Sequence, residues 1–186
     1  MLDNRYDPDV AVSNAEELVA RRVDLVLEFQ VEEAAAPRVA HIFKKAEIPL
    51  VAVDVPHPNA TYFGVDNFEC GLEAGSLLAK HAVHKWKGKV DWVLGVGMAE
   101  AGSFVQARMT GAFEGIRERI KDIPADRFVQ LEGRGTRQPS ELAVTEFLRS
   151  RRKGENILVA TATEKGSSAL CTLRPKQRRR GRETSR

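Results

Sequence analysis

Short apolar runs alternate along this chain with longer stretches whose apolar residues recur at helical spacing. VDLVLEF (23–29), IPLVAV (48–53), VDWVLGV (90–96), FVQL (128–131) and ILVA (157–160) read as strands, with YFGV (62–65) as a shorter one. Residues 9–22, 32–46, 68–86, 102–120 and 140–150 read as helices, and a last helix is expected from about Gly166. Strand and helix alternate throughout, which predicts an α/β fold with parallel sheets covered by helices on both faces. Locally, Ser13 with Glu16 three residues on is a capping-box pattern for the first helix. Pro37 removes a helical donor, so the second helix is expected to start nearer Ala36. Gly71, Ala74 and Gly75 give the third helix a flat side for close packing.

With 186 residues the chain can bury a real core, as one domain or two small lobes. A hydrophobic share of 42% and a charged share of 30% fit a globular protein. No apolar run approaches the ~20 residues of a membrane span. The N-terminus, MLDNRYDPDV, has no basic or apolar leader segment, which predicts a chain without a secretory signal, cytoplasmic as it stands. The net charge of +3 is uneven: residues 174–186 hold seven Lys/Arg and one Glu, so the rest is mildly acidic. That argues against a nucleic-acid surface on the folded body and predicts a disordered basic tail over 174–186. Cys70 and Cys171 are far apart and read as two thiols.

Several chemistries are excluded. Gly95, Gly97 and Gly102 do not form G-x-G-x-x-G, so no dinucleotide cofactor is expected. His81 and His84 have no further ligand at metal spacing. His57 lies near Asp54 but beside no nucleophile, and no Ser/His/Asp or Cys/His set is present, so no enzyme is expected. The informative block is 48–75, IPLVAVDVPHPNATYFGVDNFECGLEAG. An apolar run ends in Asp54, a Pro/His/Asn loop follows, and a second run ends in Asp66-Asn67 before a Gly-spaced helix. A carboxylate at the C-terminal end of a parallel strand is where open α/β sheets place ligand groups.

Three pieces together resemble the ribose/galactose-type periplasmic binding proteins, whose fold is shared by the core of lactose-repressor-type regulators. They are SNAEELVARRVDLVLEF, the 48–75 block, and GVGMAEAGSFVQARMTGAFEGI. The resemblance covers about residues 3–170. It implies two Rossmann-like lobes with the ligand between them: a partial N-terminal lobe over 1–62, a hinge crossing over 63–67 and a partial C-terminal lobe over 68–173. It implies no cofactor, a sugar or similar small polyol as ligand, the membrane subunits of an ABC importer as partners, a monomer and a periplasmic setting. It also implies a chain shortened at both ends, because the family begins with a further strand and helix and continues past Leu170, where this chain turns basic. Lys165-Gly166 stand where the family carries an Asn-Asp pair. The alternative within the fold is the effector-binding core of a lactose-repressor-type regulator. A Rossmann-like enzyme and a functional basic arm, binding nucleic acid or an anionic membrane, are the other classes weighed.

Sugars are bound by planar polar side chains with paired hydrogen bonds: an ionised Asp accepts two hydroxyl protons and an Arg donates a fork. Asp54 matches the family's sugar-binding Asp, and Arg108 its cleft Arg. Phe29 and Gln30 end a strand and are expected to line the cleft, with Glu100 and Ser103 as further candidates and Glu164 a weaker one. Asp66 and Asn67 read as hinge residues, with Asn67 capping the helix that begins at Phe68.

Overall fold

The computed structural model describes residues 1–5, 7–30 and 33–163; the side chain of Glu100 is not among the parts described. The expected last helix, the basic tail, Glu164, Lys165-Gly166 and Cys171 all lie outside the described residues.

The chain builds two three-stranded parallel sheets in succession. The first half contains α1 (Pro8–Ala20), β1 (Val26–Phe29), α2 (Ala36–Lys45), β2 (Leu50–Val53) and β3 (Thr61–Phe63), with β2 central. The second half contains α3 (Asn67–Trp86), β4 (Trp92–Gly97), α4 (Gly102–Arg119), β5 (Phe128–Glu132), α5 (Arg137–Arg149) and β6 (Ile157–Thr161), with β4 central. Each half has its own apolar core. In the first, Ala11, Ala15, Val39 and Phe43 pack on Val26 and Leu50; in the second, Ala79, Ile116 and Ile120 pack on Val93 and Leu158.

The second sheet meets the expectation of cover on both faces. Trp92 stacks edge-on against Phe147 of α5, while Gly95 lies against Phe113 and Met109 of α4. Successive side chains of a strand point to opposite faces, so β4 is covered on both. The first sheet departs from it. Along β1, Val26 and Glu28 are buried while Leu27 and Phe29 are 70% and 59% exposed, as is Leu25 at 52%. Both helices of this half pack with Val26 and Leu50 on one face, so VDLVLEF is a half-covered strand rather than a fully buried one.

Two helix starts differ from the sequence reading. Helix α1 begins before Ser13: Asp7 is its N-cap, accepting from the N–H groups of Asp9 and Val10, with Pro8 pre-set at the first helical position. Ser13 is therefore inside the helix. For α3 the cap is Asp66, whose Oδ1 accepts from Glu69 N at 3.0 Å; Asn67 is already helical and buried. Helix α2 does start at Ala36 with Pro37 in its first turn. Helices α3 and α4 meet backbone to backbone. A Cβ on Gly71 or Gly75 would overlap the carbonyl oxygens of Arg108 and Ala112, and one on Gly111 or Gly115 those of Phe68 and Leu72. Only glycine permits this approach, and it fixes α4, and Arg108 with it, against α3.

Candidate functional site

The residues singled out from sequence gather, in part, where β2, β3 and α4 converge. Asp54 directly follows β2 and has a positive φ of 62°, in the left-handed region that non-glycine residues rarely occupy. Val55 N donates to Val53 O at 2.8 Å, closing a three-residue turn of the uncommon kind around it. The Asp54 N–H donates to Phe63 O at 3.0 Å, which fastens the turn to the end of β3. Its side chain is exposed, and no hydrogen bond is made to its carboxylate among the described residues.

Arg108 projects from α4. Its Nη1 donates to Ala162 O, just past β6, at 2.8 Å, and its Nε is buried without a partner. Tyr62 on β3 feels the charged groups around it. Burial raises its pKa, Asp54 and Asp66 raise it further, and Arg108 pulls it back, so all three act on one hydroxyl. That hydroxyl donates to Val65 O at 2.9 Å, bracing the chain segment that joins the halves. Tyr62 also meets Phe104 of α4 edge-on, with ring centroids 5.5 Å apart.

Phe29 and Gln30 do not come together. Strand alternation leaves Phe29 on the exposed face, whereas Gln30 turns inward and is 2% exposed. Gln30 joins a buried polar cluster in the first half. Asn4 Nδ2 donates to Gln30 Oε1 at 3.2 Å and to Glu28 Oε1 at 3.4 Å, and Asn14 Nδ2 donates to Asn4 Oδ1 at 2.9 Å. The Glu28 carboxyl is pushed up to about 7 by burial, against which the Asn4 hydrogen bond acts weakly. His57 donates from Nδ1 to Val55 O at 2.9 Å, which leaves the Nε2 lone pair of the neutral ring facing Glu28 Oε2 at 3.9 Å. Burial lowers the His57 pKa, with the Val55 contact opposing.

The turn after β4 is pinned by two carboxylates that sequence reasoning missed. Glu132, ending β5, accepts from Ala99 N at 2.8 Å and from Arg134 N at 2.5 Å. Glu33, from the first half, accepts from Ser103 N at 2.7 Å and from Ser103 Oγ at 3.1 Å. Glu100 lies in this turn, over Ala99–Ala101, and its side chain is outside the described parts. The described residues hold no group of three or more His, Cys, Asp or Glu that could bind a metal ion, and none of their helices is long and apolar enough to cross a membrane.

Two three-stranded parallel sheets in succession, each with its own helices and core, have the architecture of the periplasmic binding protein fold. Residues 1–174 match the periplasmic binding protein domain, and the chain belongs to that family. No curated protein sequence matches it. Among solved structures, an ABC transporter periplasmic solute-binding protein from Actinobacillus succinogenes with bound D-allose superposes with a TM-score of 0.74 at 20% identity, covering 92% of this chain and 59% of its own. A solute-binding protein from Bacillus halodurans with bound myo-inositol gives a TM-score of 0.71 at 17% identity, covering 92% and 58%. A PurR-family transcriptional regulator from Vibrio parahaemolyticus gives 0.65 at 15% identity, covering 90% and 59%. The chain thus spans 54–59% of the length of the solved proteins it matches, and these likenesses show the fold.

Proposed function

We propose that this chain is the ligand-binding portion of a solute-binding protein for a sugar or similar small polyol, working with the membrane subunits of an ABC importer in the periplasm. Its task is capture without chemistry: two lobes close on the ligand, and the closed form is what a membrane partner reads. The observation that carries this reading is that Asp54 and Arg108, from opposite halves, both act on the hydroxyl of Tyr62, whose ring meets Phe104 edge-on. Asp54 offers an uncommitted acceptor from a strained turn, and Arg108 offers an unpartnered Nε while Ala162 holds its other end. Acceptor and donor fork suit the paired hydroxyls of a polyol, and Tyr62 with Phe104 adds aromatic surface. The allose- and inositol-bound relatives lend support.

The test is a thermal melt of the full chain with D-allose, myo-inositol and a panel of pentoses and hexoses. A sugar-specific rise in midpoint that Asp54→Ala and Arg108→Ala both abolish is the expected result. A rise that survives both substitutions would reject this site.

A further inference from the structure

Among the described residues, the two halves are joined by a carboxylate other than Asp54. Glu33 lies in the short 3-10 turn before α2, yet its carboxylate reaches the first turn of α4, 70 positions along the chain. There Oε2 accepts from Ser103 N at 2.7 Å, while the Ser103 hydroxyl donates to Oε1 at 3.1 Å. Helix α4 has no side-chain cap of its own: its N-cap position is Ala101. The N–H groups of a first helical turn need an acceptor and favour negative charge. Glu33 supplies both from the other half of the molecule. Gly102 is shaped to this contact in two ways. Its φ of 78° is disfavoured for a side-chain-bearing residue, and a Cβ on it would overlap the Glu33 carboxylate. The neighbouring Phe104 makes a further contact across the halves, against Tyr62.

We propose that Glu33 is a positioning residue for the ligand site: by capping α4 from the opposite half, it sets how closely the Arg108 helix approaches the Asp54 turn. This rests on the two-lobed binding reading, but its direct consequence is a distance that does not depend on any ligand. Three consecutive residues, Gly102, Ser103 and Phe104, carry the contact, and Arg108 lies one helical turn further along the same helix. Loss of the cap therefore moves the guanidinium relative to Asp54 without touching either residue.

The experiment attaches thiol-reactive spin labels at Lys45→Cys and Lys121→Cys, both exposed, in a full chain with Cys70→Ser and Cys171→Ser, and reads the label distance without sugar. Exchange of the Ser103 amide is followed in the unlabelled protein. Glu33→Ala is expected to broaden and lengthen the distance distribution and to speed Ser103 exchange about fivefold, the size of a lost helix cap. Glu33→Gln, which keeps an acceptor oxygen, should restore most of both. Gly102→Ala should open the halves as Glu33→Ala does. An unchanged distance distribution in Glu33→Ala, or an opening that Glu33→Gln fails to reverse, would overturn the proposal. Where a sugar binds the wild type, Glu33→Ala should weaken it about fivefold through faster release. If no sugar binds, the distance measurement still decides the role of Glu33, while the ligand reading fails separately.

Discussion

The two sheets are built from similar lengths of parallel strand, yet they are covered differently. In the second sheet the central strand β4 is buried from Val93 to Gly97, with α4 on one face and α5 on the other. In the first sheet, β1 turns Leu25, Leu27 and Phe29 outward and places Glu28 and Gln30 inside. Burial there follows which face the helices occupy, not which residues are apolar. The consequence is a division of labour. In the second half α3 and α4 meet backbone to backbone, and Arg108 projects from that helix pair. The first half carries the strained turn, the buried titratable pair and the carboxylate that reaches across.

The largest effect should come from the second half. Gly75→Val would drive a side chain into the Ala112 carbonyl of α4. It should cost about 3 kcal/mol or more in chemical denaturation, because the obstacle is backbone and neither helix can yield alone. A cost under about 1 kcal/mol would show that the helix pair is not the frame described.

A pH-dependent effect should come next, from the first half. Because burial lifts the Glu28 carboxyl from 4.5 to about 7, the folded state holds a proton that the unfolded chain has released. The Glu28 contribution to stability should therefore fall as pH rises from about 4.5 to about 7 and stay level above. His57, lowered by burial, has the opposite sign: its contribution is present above its unfolded value of 6.5 and is lost as pH falls below it. Glu28→Gln removes only the first. Melts should show it stabilised by up to about 3 kcal/mol at pH 8 and little changed at pH 4. Equal effects at both pH values would mean that Glu28 is not held protonated.

The smallest effect tests the uncovered face. Leu27→Ser should change stability by no more than about 0.5 kcal/mol, since Leu27 is 70% exposed. A loss of about 2 kcal/mol or more would show that something packs on that face in solution, and the contrast between the sheets would narrow.

Much of this was legible in the chain. The apolar run of β4 and the Gly71/Gly75 spacing of α3 read correctly because a doubly covered strand and a close helix contact both leave composition signals. The strand end just before Asp54 was legible, though the positive φ of Asp54 was not, since Asp tolerates many turns. The α1 start misled because Ser13 and Glu16 imitate a capping box, while Asp7-Pro8 supplies an earlier cap and a pre-set first residue. The inward turn of Glu28 ran against its polarity; it depends on Asn4, Gln30 and His57, which no local pattern unites. Glu33 was invisible for the same reason, its partner lying 70 residues away.

The central claim is that Asp54 is held in a strained turn in order to bind. Asp54→Gly tests it most directly, by calorimetric titration with the sugar panel alongside a melt. Glycine adopts the φ of 62° freely, so the variant should be as stable as the wild type, or more so by up to about 1 kcal/mol, while sugar binding disappears. Retained binding, or a protein clearly destabilised by the change, would contradict the account.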